Sequence, residues 1–122
     1  MNTGVFSVVY CAISIILGAY FQHGLDHGVT MEQKVSLSVA TRYLFYVGII
    51  GLIIFFSKPQ WEWSNKNLIL ILVSGGIFSF SIIGLVLFNL KFLGPLTPIG
   101  GIGIIIGLLI WARLIAKHGR SN

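Results

Sequence analysis

The chain has 122 residues, of which 56% are hydrophobic and 9% charged, with a mean hydropathy of +0.93 and a net charge of +5. A soluble domain carries roughly 25% charged residues, so the composition excludes a soluble globular class and places this all-α chain in lipid as an integral membrane protein. The charge of +5 reads as Lys and Arg facing the cytoplasm and anionic lipid, not nucleic acid, because the basic residues are scattered and no soluble domain presents them.

The first apolar run covers about residues 4–22, close to the roughly 20 residues that a spanning helix needs. No Lys or Arg precedes it and no A-x-A pattern follows it, so the expectation is a retained helix and not a cleaved signal peptide. Gly4, Ser7, Cys11, Ser14 and Gly18 recur at spacings of 3, 4, 3 and 4, a seam of small residues suited to a left-handed helix crossing. Cys11 is the one cysteine of the chain and serves there as a small hydrophobe. Gln22 and His23 end the run, and Asp26 and His27 follow in a loop. His23 and His27 have the spacing of two ligands on a helix. Gly24 and Gly28 oppose a helix there and no Cys joins the pair, so no metal site and no cofactor is assigned.

Between Arg42 and Lys58 lie fifteen uncharged residues. At about 1.5 Å each they reach roughly 22 Å, short of a hydrocarbon core of about 30 Å. The second span must extend to about Leu37, giving residues 37–57, and this leaves Arg42 about 7 Å inside the apolar zone. An intramembrane charge is a functional candidate by default. It competes with two structural readings: a snorkelling stem, or a guanidinium bonded to carbonyls freed at Gly94-Pro95. Thr30 followed by Gln33 forms a capping-box pattern, so an amphipathic turn beginning near Met31 precedes the span. Lys58-Pro59 ends the helix, and Trp61 and Trp63 follow as interfacial anchors.

The third span, about 68–89, adds Ser74, Gly75, Gly76, Ser79 and Gly84 to the small-residue inventory and ends at Asn89. The fourth covers about 95–116, with Thr97 as N-cap and Pro98 as first helical residue. Gly100, Gly103 and Gly107 share one of its faces. Helices in a bilayer gain little from hiding apolar side chains and associate through close backbone contact. The glycines therefore read as packing surface, within a four-helix bundle or between protomers, in preference to a pore lining or hinge.

Four spans put both termini on one side, with Lys58, Lys66, Arg113, Lys117 and Arg120, against Lys34, Arg42 and Lys91 opposite. The excess predicts cytoplasmic termini. Asp26, Glu32 and Glu62 all fall in expected loops, so no span offers a titrating carboxylate of the kind proton-coupled transport uses. No catalytic residue is assigned, and the expectation is a non-enzyme. An enzymatic use of His23 or His27 on lipid headgroups lacks a positioned nucleophile. Gln22, His23, Arg42, Tyr43, Asn89 and Thr97, with Asp26 and His27 in the adjoining loop, form a candidate polar cluster at the helix ends away from the termini.

Gly18 to Leu25, GAYFQHGL, resembles the GAFGAHGL signature that ends the first helix in a family of small four-helix inner-membrane proteins. The family is catalogued as domain of unknown function 423 and has a mitochondrial relative in animals. Thr41 to Tyr46, Phe78 to Ser81 and Thr97 to Gly101 fit its later motifs in order, the last as TPIGG. Departures fall at Val47, where the family has a His, at Phe80 for a glycine, at Ile83 for a tyrosine and at Leu108 for a tryptophan. The resemblance implies the fold and a bacterial plasma (inner) membrane location. It implies no activity, and of the family's paired histidines only His23 is present. The functional expectation is a structural or accessory subunit of a membrane complex, contacting lipid and either other subunits or its own copies. The alternative is a small oligomeric transporter or channel that uses the Arg42 cluster for an anion.

Overall fold

The computed structural model describes residues 2–23, 29–57 and 64–118. Within these the chain is helical: α1 (Thr3–His23), α2 (Met31–Phe56), α3 (Ser64–Phe88) and α4 (Leu96–His118), with a short 3-10 turn at Lys91–Leu93 between the last two. Each of the four helices is long and apolar enough to cross a membrane.

Local chemistry sets the helix ends. The capping box at the start of α2 is complete: the Gln33 amide donates to Thr30 Oγ1 at 3.1 Å, and the Thr30 amide donates to Gln33 Oε1 at 2.9 Å. The box starts the helix at Met31, which draws Glu32 out of the expected loop and into the exposed first turn. A carboxylate is favourable there against the helix dipole. With 26 residues, α2 is about 39 Å long against a core of about 30 Å, so its first turns stand outside the hydrocarbon. At its other end the Ser57 hydroxyl donates to the Ile53 carbonyl at 2.6 Å.

Asn89 follows α3 with φ of 54°, a left-handed conformation that Asn tolerates better than most residues. The turn it opens lets the Leu90 amide return to the Gly84 carbonyl at 3.3 Å. Because α4 begins at Leu96, Thr97 is inside the helix and not its N-cap. Pro98 is still harmless, since the first four amides of a helix have no acceptor within it. Lys58, Pro59, Trp61, Glu62, Trp63 and Arg120 lie outside the described residues.

Successive helices run antiparallel: α1 packs on α2, α2 on α3 and α3 on α4. Among the described residues α4 has no helical neighbour but α3, and α1 and α4 do not meet. The four form an open row in which α2 and α3 carry the core. Val47, Ile54, Leu68, Ile71 and Leu72 build one buried cluster, and Phe21, Leu37, Ala40 and Ile83 build a second towards the Arg42 end. One long-range bond ties α1 to α3: the Tyr10 phenol donates to the Leu72 carbonyl at 2.7 Å. It passes over Gly76, where a Cβ would lie 2.6 Å from the phenol oxygen. A methyl group at that crossing would push the phenol off its carbonyl.

Candidate functional site

The α3–α4 seam is closed along its length. Gly100 lies against the α3 backbone, so close that a Cβ would sit 2.5 Å from the Phe78 nitrogen and 2.8 Å from the Ser74 carbonyl oxygen. Gly103 faces Ser74 and Gly107 faces Ile71 in the same manner. Two side-chain bonds clasp the seam. Asn67, 3% exposed, donates from Nδ2 to the Gly107 carbonyl at 3.0 Å, while Ser81 and Thr97 share a hydroxyl bond of 2.7 Å near the other end. Asn67 has no place in the sequence-derived cluster. Its signal was positional: it stands four residues before Ile71 and seven before Ser74, on the face that meets α4.

Between α1 and α2 the spacing changes along the helices. Gly4 packs on the Phe55 ring, Ser7 on Gly51, and Cys11 on Gly48, where a Cβ would stand 2.7 Å from Sγ. Further along, a Cβ at Gly18 would meet only Thr41 Oγ1, at 3.9 Å. The pair has parted there, leaving a groove of about 610 Å³. Ile15, Gly18, Ala19 and Val35 give the groove an apolar floor, and Gln22, Lys34, Ser38 and Thr41 give it polar walls. A second groove of about 300 Å³ shares Ser14, Ile15 and Thr41 with the first and adds Arg42, Phe45 and Tyr46. Lys34, Ser38, Thr41 and Arg42 recur at i, i+4, i+7 and i+8, a one-face pattern that exposes the groove wall in the sequence once the helix is known to start at Met31.

The structure divides the expected polar cluster. Gln22 and Arg42 line the α1–α2 grooves, and no residue of α3 or α4 contributes to the lining of either. Thr97 belongs to the α3–α4 seam through Ser81. Tyr43 packs edge-on against Tyr46 and against Phe78 of α3, with ring centroids 5.5 and 5.4 Å apart, and Asn89 serves the turn after α3. Asp26, His27 and the side chain of His23 lie outside the described residues. Arg42 donates to Ser38 Oγ at 3.3 Å, one turn towards the start of its own helix, and not to the carbonyls near Gly94-Pro95. Among the described residues no group of three or more His, Cys, Asp and Glu is placed to hold a metal. The first groove therefore carries hydroxyls, an amide and Lys34, and the adjoining one carries Arg42.

Four spanning helices in an all-helical chain, with grooves and seams lying between the spans, define a multi-pass membrane protein. The chain belongs to the family described as "Protein of unknown function (DUF423)", whose model matches residues 17–101. It is 38% identical over 109 residues to the UPF0382 membrane protein SAB0533 of Staphylococcus aureus, covering 80% of this chain and 79% of that one. A UPF0382 membrane protein of Staphylococcus epidermidis is 34% identical over 97 residues, with 76% and 77% covered. The UPF0382 membrane protein C1782.12c of Schizosaccharomyces pombe is 31% identical over 113 residues, with 84% and 89% covered. No solved structure matches the chain.

Proposed function

We propose that this protein is a non-enzymatic structural or accessory subunit that packs laterally against another membrane protein, with its termini in the cytoplasm. The observation that carries this reading is the position of α4 at the edge of the row, where among the described residues α3 is the one long helix that it packs along. Its outer face presents Ile99, Ile102, Ile105 and Leu109, each more than half exposed, while its glycines are used up on the α3 side. On α3, Ile69, Val73, Ile77 and Phe80 stay exposed beside it. An edge helix with one neighbour has room to accept a second, and the seam behind it is stiff enough to present that face in a fixed orientation. Mild extraction from the native membrane followed by native mass spectrometry tests the reading. A defined hetero-complex is the expected result, and a strictly monomeric protein with no partner would overturn it.

A second reading, an oligomeric anion transporter, is favoured by one observation: among the described residues the Arg42 guanidinium has a single hydroxyl as its partner, in an apolar span. Reconstituted liposomes test it directly. Halide or organic-anion flux that Arg42→Ala abolishes would establish transport, and absence of flux for every anion tried would remove it.

A further inference from the structure

We infer that the α1–α2 groove is a binding site for an anionic glycerophospholipid, with the lipid phosphate held by Arg42 and the Ser38 hydroxyl and an acyl chain lying along Ile15, Gly18 and Ala19. The inference is independent of the accessory-subunit reading, because the site is complete within one chain.

Depth is the first argument. Side chains on a helix lean towards its N-terminus, and the N-terminus of α2 is the end that stands outside the hydrocarbon. Arg42 follows that lean, rising one turn to meet Ser38 at 3.3 Å. The guanidinium is thus carried from about 7 Å inside the core towards the level of lipid phosphates. A guanidinium has five donors in a planar fork suited to phosphate oxygens. The bond to Ser38 is the one partner that Arg42 shows, and it meets no carboxylate among the described residues.

Shape is the second. The small-residue seam of α1 closes tightly at Gly4, Ser7 and Cys11 and then opens at Gly18, where a Cβ would make one ordinary contact, with Thr41 Oγ1 at 3.9 Å. The opening is a groove of about 610 Å³, within the usual range for a small-molecule site. Ile15, Gly18 and Ala19 of α1 lie deeper than Ser38, Gln22 and Lys34, and Arg42 reaches Ser38 from the adjoining groove, which shares Ser14, Ile15 and Thr41 with the first. That arrangement suits a molecule with a hydrocarbon tail and an anionic head, entering sideways from the bilayer. A free phosphate ion would use the head of the groove and leave its floor empty, so the lipid is the occupant that fits the whole surface.

The test uses the full chain purified in a mild detergent and incubated with palmitoyl-oleoyl phosphatidylglycerol or its phosphatidylcholine counterpart. Retained lipids are counted by native mass spectrometry. Phosphatidylglycerol is expected to be retained about fivefold more than phosphatidylcholine, the factor that one interfacial cation contributes. Arg42→Ala should remove that preference. Gly18→Leu, which fills the groove floor without touching a charge, should lower retention of both lipids, and it carries the test if Arg42→Ala does not fold. Inorganic phosphate, added against chloride at equal ionic strength, should not displace the lipid. Equal retention of the two lipids, or a preference that survives Arg42→Ala, would overturn the proposal. So would displacement by phosphate, which would assign the site to a free anion, or unchanged binding in Gly18→Leu.

Discussion

Gly100 of α4 and Gly18 of α1 stand in similar seams of small residues, yet a methyl group added at each would meet different surroundings. At Gly100 it would press on the backbone of Phe78 at 2.5 Å, whereas at Gly18 its nearest neighbour would be a hydroxyl at 3.9 Å. The α3–α4 pair is closed throughout and clasped by Asn67 and by Ser81 with Thr97. The α1–α2 pair is closed at the terminal end and splayed at the Arg42 end. Small residues permit close approach, but they do not compel it. At Gly48 and Gly51 the helices touch, and beside Lys34, Ser38 and Thr41 they part and a lined groove results.

Four tests sharpen or break this contrast, each read as unfolding free energy in a mixed-micelle denaturant titration. The largest effect is expected for Gly100→Ala. The obstructing atoms are α3 backbone, which cannot rotate away, so the two helices must separate, with a loss of about 3 kcal/mol. Near-normal stability in that variant would mean that the seam is looser than the geometry states. Asn67→Leu should cost about 1 kcal/mol, because interhelical hydrogen bonds in membranes are worth modest amounts even when buried. A smaller coupling, about 0.6 kcal/mol, is expected from a double-mutant cycle between Ser81→Ala and Thr97→Val. A coupling of zero would show that the 2.7 Å contact is geometric only. Gly18→Ala should be neutral or stabilising by up to about 1 kcal/mol, since helix propensity improves and nothing obstructs the methyl. A destabilisation comparable to that of Gly100→Ala would erase the distinction between the two pairs.

Much of this architecture is legible without coordinates. Four apolar runs of spanning length and the Thr30 and Gln33 capping pattern depend on neighbours close in sequence, and the structure realises both. The partners of a seam are not legible in that way. Gly100, Gly103 and Gly107 announce that something approaches α4, but only the register of α3 makes it Phe78, Ser74 and Ile71. The described members of the polar cluster divide for the same reason. Residues placed at one depth by counting along four helices still point in different azimuthal directions, so Thr97 turns to Ser81 while Arg42 turns to Ser38. Thr97 is not the cap that the Thr-Pro pair indicates, because the Lys91–Leu93 turn leads into α4 two residues earlier, at Leu96. Asn67 is not legible in the same way, because Asn65-Lys66-Asn67 reads as a helix end meeting water, and the burial of Asn67 depends on a glycine forty residues later.

The bond from Tyr10 to the Leu72 carbonyl has a consequence in time. Its two ends are 62 residues apart, so at about 5–20 residues per second the acceptor leaves the ribosome roughly 3–12 s after the donor. Gly48 emerges 24 residues before Leu72, so for about the last 1–5 s of that interval α1 and α2 can associate through Cys11 and Gly48 while the phenol has no mate. The final rotation of the first helix about its own axis is therefore fixed only when the third arrives. A chain arrested before Leu72 would hold its first two helices in a hairpin whose pitch and groove width are still adjustable.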